Sequence, residues 1–367
     1  MKKSPFYYLN LNQGAVMSGG KPWHTPAQFT DVLEEYNAVR TACGVTDWST
    51  MCKFDIKGPD AKAFLQKMIV NDINRLTPGR GLYSCMCNEQ GGMYDDTTVY
   101  QYAEDHYLLV GSTAGRAKDA KRFAAYSRDM RVYITDVTGG FGLLSVQGPN
   151  TRKLLNSVSS ETVDDVAYFA FKMIQIAGHD VMASRTGFTG ELGFELFIAA
   201  EDCPCVYEAV LEAGKDCGLK PVGLLAASGM LRLEKGYLSG KEYSESINPY
   251  EAGVGWSVKL DTDFIGRDAL ADLKQRGPAK RLMGFIMDGK DKVAPAGGQV
   301  LADGASAGQV TAATYSPVLD RSLGLAYIDA AYAVEGAEVT IPVDGVPAAA
   351  KLCSKTMYDP ENIRLKA

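Results

Sequence analysis

FDIKGPDAKAFLQKMI (Phe54–Ile69) and LLSVQGPNTRKLLNSV (Leu143–Val158) follow one plan. Each opens with an apolar strand-like run, turns through a Gly-Pro pair and an Asp or Asn, and continues as an amphipathic helix. Asp60 and Asn150 stand where a side chain accepts hydrogen bonds from the first free helix amides. Two such units predict a duplicated α+β core, with helices laid against mainly antiparallel sheets. Two copies at this spacing do not make a solenoid.

Between the two units, GLYSCMCNEQGGMYDDTTVYQY (Gly81–Tyr102) reads as a hairpin with Glu89-Gln90-Gly91-Gly92 at its turn. Helical patterns cover Ala117–Met130, Cys205–Cys217 and Leu224–Lys235. Near Gly277-Pro278 the composition changes. From Arg281 short β-prone pieces alternate with Gly, Pro and Asp, which predicts a small all-β, barrel-like domain. The expected division is a core over 1–277, made of two interleaved α+β domains, and a barrel over 278–367.

The bulk numbers exclude several function classes. The chain has 367 residues, 46% of them hydrophobic and 22% charged, with a formal net charge of −6. A negative balance argues against nucleic acid or an anionic membrane as partner. No run of about 18 apolar residues is present to span a membrane, and the N-terminal MKKSPFYYLNLNQG lacks a signal-peptide core. A cytoplasmic protein is expected. The eight cysteines lack zinc-type spacing and the three histidines form no metal motif, so no metal is expected and the thiols read as free.

The densest chemical signal is RTGFTGELGFEL (Arg185–Leu196). Three glycines surround a carboxylate and two aromatics ahead of a strand. Such glycines permit positive φ or a close approach of a flat ligand to the backbone. Strand alternation puts Glu195 and Phe197 on one face and Phe194 and Leu196 on the other. Glu195 is then either a carboxylate held among apolar neighbours for a ligand, or a solvent-facing residue beyond a turn. In the hairpin, Asp95 and Asp96 point to opposite faces, so they do not form a two-carboxylate device. In LRLEKGYLSGKEYSESINPYEAGVGW (Leu231–Trp256), Glu234 closes an apolar helix that Gly236 caps.

These pieces, with YNAVRTACGVTDWSTM (Tyr36–Met51), NDINRL (Asn71–Leu76), SVQGPN (Ser145–Asn150), DFIGRDAL (Asp263–Leu270) and TYSPVL (Thr314–Leu319), occur in an order that resembles the glycine-cleavage T-protein and tetrahydrofolate-dependent methyltransferase family along nearly the whole chain. The resemblance implies a T-protein-like three-domain ring: a duplicated folate-binding core plus a C-terminal β-barrel, with tetrahydrofolate in a central channel. By motif, Asp95 matches the family's essential aspartate near the folate nitrogens. Tyr83, Phe188 and Glu195 match residues that wall or hydrogen-bond the pterin, and Trp256 lines the channel. Trp48 and Tyr237 are expected at the substrate. Aromatic walls with one carboxylate suit a flat ring with polar edges.

Departures from the T-protein pattern bear on the reaction. Thr50 stands for the histidine of Ser-His-Met, Phe188 for the tyrosine of Thr-Gly-Tyr, and Ala226-Ala227-Ser228-Gly229 for Gly-Ala-Arg-Asp. The leading expectation is therefore a demethylase moving a methyl from a small S-, N- or O-methyl donor to N5 of tetrahydrofolate. Trp23, Trp48, Tyr7 and Tyr8 are candidate walls for a cationic donor, and His24 a candidate acid for an ether. The alternative is aminomethyl transfer from a lipoylated carrier protein, with the basic run Arg116, Lys118, Lys121, Arg122 available to the carrier or to the folate tail. A non-catalytic folate-binding protein is the third possibility, against which Asp95 argues.

Overall fold

The computed structural model describes residues 1–18 and 22–367. Along the chain, helix α1 (Tyr7–Asn12) precedes a short hairpin, β1 (Val16–Met17) with β2 (Pro26–Gln28), and helix α2 (Val32–Thr41). Strand β3 (Cys43–Asp47) comes next and joins the second unit's sheet; the first unit then follows: β4 (Cys52–Lys57), α3 (Ala61–Met68), β5 (Arg80–Cys87), β6 (Met93–Ala103), β7 (His106–Gly111), α4 (Arg116–Tyr126) and β8 (Tyr133–Asp136). The second comprises β9 (Phe141–Gln147), α5 (Thr151–Val158), β10 (Phe171–Ile176), β11 (His179–Ser184), β12 (Gly193–Ala199), α6 (Cys203–Gly214) and β13 (Leu219–Pro221). The helical segment Leu224–Lys235 is interrupted: α7 (Leu224–Ala226) and α8 (Arg232–Lys235) flank a π turn at Ala227–Leu231. Helix α9 (Arg267–Arg276) leads to the last six strands, β14 (Lys280–Met287), β15 (Gln299–Ala302), β16 (Ala305–Ser316), β17 (Arg321–Asp329), β18 (Glu338–Val343) and β19 (Val346–Cys353), and α10 (Ile363–Lys366) follows them.

The strands form two open sheets and a barrel. Sheet one has the order β5-β6-β7-β4-β8 and sheet two the order β10-β11-β12-β9-β3-β13, while β14-β17-β16-β15-β18-β19 close on themselves. Sheet one is antiparallel, and sheet two is antiparallel except for the β13–β3 pair. The expected duplicated α+β core with a C-terminal barrel is thus the observed architecture.

The repeated Gly-Pro pairs have a common backbone cause. Gly58 and Gly148 take φ of +126° and +130°. A Cβ at Gly58 would overlap the carbonyl of Arg131, and one at Gly148 would lie 2.6 Å from the carbonyl of Ala42. In both units only glycine both takes the turn and admits the neighbouring chain. The capping expectation is corrected. Asp60 and Asn150 occupy the N-cap positions, but neither side chain caps its helix. The Asp60 carboxylate instead accepts from the Arg131 backbone N–H, and the Asn150 amide donates to the Cys217 carbonyl. Cross-chain partners outcompete the local amides.

Each sheet buries one face under its helices. Phe54, Ile56, Val99 and Leu109 meet Phe64, Leu65 and Phe123 of α3 and α4. Leu144, Val146, Phe194, Leu196 and Ile198 meet Leu154, Leu155, Val206 and Val210 of α5 and α6. The other faces meet each other: Tyr100, Leu108 and Val110 of sheet one pack on Leu143, Met182 and Phe197 of sheet two. The Tyr100 and Phe197 rings meet nearly edge-on at 5.6 Å, a geometry worth about 0.5–1.5 kcal/mol beyond area burial.

The three parts converge on a buried ion network. Arg40 of α2 donates to Glu234 from Nη2 at 2.5 Å and to Glu191 from Nη1 at 2.9 Å. Glu234 also accepts from Tyr36 at 2.6 Å and from Ser316 of the barrel at 2.5 Å. Glu191 accepts from Tyr358 at 2.5 Å and from Arg364, residues that follow the barrel. Glu234 is therefore a clamp between core and barrel, and Gly236 ends its helix at φ +70°.

Candidate active site

Strand β12 presents Glu195 and Phe197 toward sheet one, and Phe194 and Leu196 toward the helices, as alternation requires. Glu195 accepts from the Thr186 hydroxyl through Oε2 at 2.5 Å, and Thr186 is linked to Tyr100 and Ser184. Among the described residues no hydrogen bond reaches its Oε1. Burial holds the Glu195 carboxyl above the usual carboxylate range, against the opposing pull of Thr186 and of the Lys53 ammonium. Lys53 is fully buried on β4, donating to the carbonyls of Ser49 and Met51. Burial pulls its amine down to about 8, which Asp47 and Glu195 partly resist. Opposite Glu195 in register, Ser145 is buried with its hydroxyl unpaired.

Two of the three glycines around Glu195 act through space rather than through backbone conformation. Only Gly190 has positive φ. A Cβ at Gly187 or Gly193 would collide with the Gln147 side chain. That amide donates to the Thr186 carbonyl at 3.1 Å and accepts from Thr189 at 3.0 Å. The glycines thus let Gln147 brace the loop that carries Thr186 and Phe188.

Phe188 on this loop stacks face to face with Tyr237, centroids 5.6 Å apart at 11°, and meets Trp48 edge-on at 5.8 Å. Three expected site residues therefore form one aromatic group. Tyr7, Tyr8 and Trp23 do not join it. Lys3 lies over the Tyr7 and Tyr8 rings and Lys2 over Trp23, so those faces already hold cations. His24 packs on Tyr7 in the same N-terminal group.

On sheet one the outcome turns on a bulge. Cys87 pairs with Met93, but Met86 pairs with Asp95 and Tyr83 with Thr98, because the register shifts between Met86 and Cys87. One extra residue exchanges the two faces of β6 relative to β5. Tyr83 therefore shares its face with Asp96, Thr98 and Tyr100, and its hydroxyl donates to Asp96 Oδ2 at 3.3 Å. Trp256, 62% exposed, covers Tyr83 with centroids 5.6 Å apart. Burial, then the charge of Asp95, raises the Asp96 carboxyl to about 7.

Asp95, the residue expected beside the folate, lies on the opposite face with Met86 and Val99 and is fully buried. Its carboxylate accepts from the Ser112 hydroxyl at 2.9 Å and the Tyr243 hydroxyl at 2.7 Å. Two groups of expected residues result: Tyr83 and Trp256 gather at Asp96, while Phe188, Trp48 and Tyr237 gather on the loop beside Thr186 and Glu195. Asp96, Lys53 and Tyr243, which sequence reasoning did not put at the site, lie against the expected residues Tyr83, Glu195 and Asp95. The basic run is largely engaged: Arg116 pairs with Asp136, Lys118 donates to the Tyr94 carbonyl, and Arg122 donates to the Cys87 carbonyl at 2.5 Å.

Partly buried carboxyls beside aromatic rings suit a flat heterocycle with polar edges and can move protons at such an edge. Comparison with known proteins shows the family. The GCVT N-terminal domain model matches residues 6–262, and the glycine cleavage T-protein C-terminal barrel domain model matches residues 280–359. An aminomethyltransferase of Caldanaerobacter subterraneus subsp. tengcongensis is 39% identical over 361 residues, covering 98% of this chain and 96% of that one. One of Anoxybacillus flavithermus is 39% identical over 364 residues, covering 98% and 99%. The crystal structure of glycine cleavage system aminomethyltransferase T from Bartonella henselae superposes with a TM-score of 0.90 at 26% identity, covering 98% of both chains. The chain belongs to the glycine cleavage T-protein family.

Proposed function

We propose that the chain is a tetrahydrofolate-dependent aminomethyltransferase that takes its one-carbon unit from a lipoylated carrier protein. Full-length similarity to proteins named for that activity supports the reading. The observation that carries it is Asp96, which accepts from the Tyr83 hydroxyl under the Trp256 ring and whose carboxyl burial raises to about 7. The leading expectation from sequence, methyl transfer from a small donor, takes second place.

The residues fit tetrahydrofolate. Glu195 Oε1 is a free acceptor for a ring N–H, Ser145 offers an unpaired buried hydroxyl beside it, and Tyr83, Trp256 and Phe188 supply apolar walls. Bound there, tetrahydrofolate supplies the nucleophilic nitrogen that accepts the one-carbon unit. Glu195 anchors and orients, held by Thr186 and balanced by Lys53. Asp96 in its acid form would hand a proton to the amine nitrogen of the donor, which leaves as ammonia. The carbon–sulfur bond also breaks, and the carrier departs as the free thiol, the two protons gained by ammonia and thiol being those the folate nitrogens lose. Tyr83, donating to Asp96, aims that carboxyl.

A demethylase remains the second reading because of the Trp48–Phe188–Tyr237 group, whose ring faces suit a methylated cation. The test is incubation with tetrahydrofolate and a panel of donors: the aminomethylated carrier and onium, N-methyl and O-methyl compounds. The folate products are resolved by mass. 5,10-Methylenetetrahydrofolate formed with the carrier supports aminomethyl transfer. 5-Methyltetrahydrofolate formed with a small donor overturns it in favour of demethylation.

A further inference from the structure

Beneath Asp96, on the helix side of β6, two carboxyls meet. Asp119 projects from α4 and is fully buried, as is Asp95. Their oxygens converge on the backbone at Gly115. A Cβ there would overlap Asp95 Oδ2 and lie 2.6 Å from Asp119 Oδ2, while one at Gly111 would sit 3.4 and 3.3 Å from the same atoms. The two Oδ2 atoms are thus neighbours on one small patch of backbone. Two carboxylates have only acceptors and repel when both are charged, so burying them side by side favours a proton on one.

The surroundings place that proton. Asp95 has donors of its own: the Ser112 hydroxyl and N–H, and the Tyr243 hydroxyl. Asp119 receives only the distant Cys52 thiol at 3.9 Å, and its Oδ1 has no partner. The nearby cations are committed elsewhere. Lys118 donates to the Tyr94 carbonyl and lies over the Tyr94 ring, while Arg122 donates to the Cys87 carbonyl and lies over Tyr94 and Tyr126. From β6 the remaining ionisable neighbours are Asp96 and Tyr94, from β4 Cys52, and from the loop Tyr243. The Lys118 ammonium still pulls the Asp119 carboxyl down, but burial and the neighbouring Asp95 outweigh it.

We propose that Asp119 is a positioning residue that holds the shared proton of a buried Asp95–Asp119 acid pair, so that one negative charge, not two, lies beneath Asp96. Burial, then the neighbouring Asp95, raises the Asp119 carboxyl to about 9, in keeping with this assignment. The pair sets the electrostatic floor under Asp96. A doubly charged pair would drive protons onto Asp96 throughout the neutral range, and a neutral pair would release them.

The part concerning Asp96 rests on the proposed function, whereas the pair itself does not, and the two are tested separately. The first measurement is denaturant unfolding of the wild-type apoprotein and of Asp119→Asn between pH 5 and 9. The folded wild type keeps a proton that the unfolded chain has already lost. Its unfolding constant therefore rises up to tenfold per pH unit relative to the variant. A wild-type to variant difference that stays constant across this range, as simple loss of packing gives, overturns the proposal. Asp95→Asn removes the same shared proton and makes the same prediction should Asp119→Asn not fold. The second measurement is the pH profile of tetrahydrofolate-dependent turnover. Asp95→Asn removes the charge beneath Asp96 and lowers the neutral limb by roughly one pH unit. An unmoved limb overturns the coupling. If no protein turns over any donor while the unfolding curves diverge as described, the proposed function fails and the acid pair stands.

Discussion

Replacing Arg40 with Met removes the cation that holds Glu234, whose carboxylate in turn reaches the barrel at Ser316. Four hydrogen bonds disappear: Nη2 to Glu234 at 2.5 Å, Nε to Glu234 at 3.2 Å, and Nη1 to Glu191 and to the Thr189 carbonyl, each at 2.9 Å. Glu234 is fully buried and Glu191 is 1% exposed, so water does not replace the lost donors. Glu191 keeps Tyr358 and Arg364, and Glu234 keeps the hydroxyls of Tyr36 and Ser316. Glu234 thus bears the larger loss, a buried carboxylate without a cation. Breaking one partner of such a pair costs about 3–5 kcal/mol, and Met of similar length fills the volume. Denaturant unfolding followed by fluorescence measures it. The double variant Arg40→Met/Glu234→Gln, which replaces the orphaned charge with a neutral amide, recovers part of the loss. A loss below about 1 kcal/mol for the single variant would refute the clamp, since exposed pairs are worth that little.

Three further outcomes follow from the candidate site. Gly193→Ala drives a methyl into the Gln147 amide, destabilises the fold by about 1–3 kcal/mol, and is read by thermal unfolding. Glu195→Gln keeps the shape but loses the charged acceptor, weakening tetrahydrofolate binding by roughly 1.5–3 kcal/mol in an equilibrium titration. Asp96 is raised to about 7 from an ordinary 3.8, so the unfolded chain loses its proton first. The stability that this group contributes is therefore full below about pH 4 and falls as pH rises to 7, and Asp96→Asn flattens that segment of the stability curve.

The fold was legible because its constraints are local. The Gly-Pro turns at Gly58 and Gly148, the turn closing the β5–β6 hairpin and the alternating strands each carry their own signal within a few residues. Glu195 was legible for the same reason, since its face follows from alternation alone. The choice between Asp95 and Asp96 was not. It depends on one extra residue on β6, Tyr94, opposite the step from Met86 to Cys87, which exchanges the faces of β6 relative to Tyr83, and a tyrosine there does not announce a bulge. The unused caps at Asp60 and Asn150 failed likewise, because Arg131 and Cys217 arrive from distant parts of the chain. The Asp95–Asp119 contact and the Arg40–Glu234 clamp lie beyond any local pattern.

The most direct measurement compares wild type with Asp96→Asn in tetrahydrofolate-dependent release of ammonia from the aminomethylated carrier, alongside tetrahydrofolate affinity. If Asp96 is the proton-handling group of the site, the variant binds tetrahydrofolate within a few-fold of wild type. Its transfer rate falls by about 10²–10⁴-fold, and wild-type turnover declines as pH rises through about 7. A variant that releases ammonia at the wild-type rate would contradict the assignment of the chemistry to this face of β6.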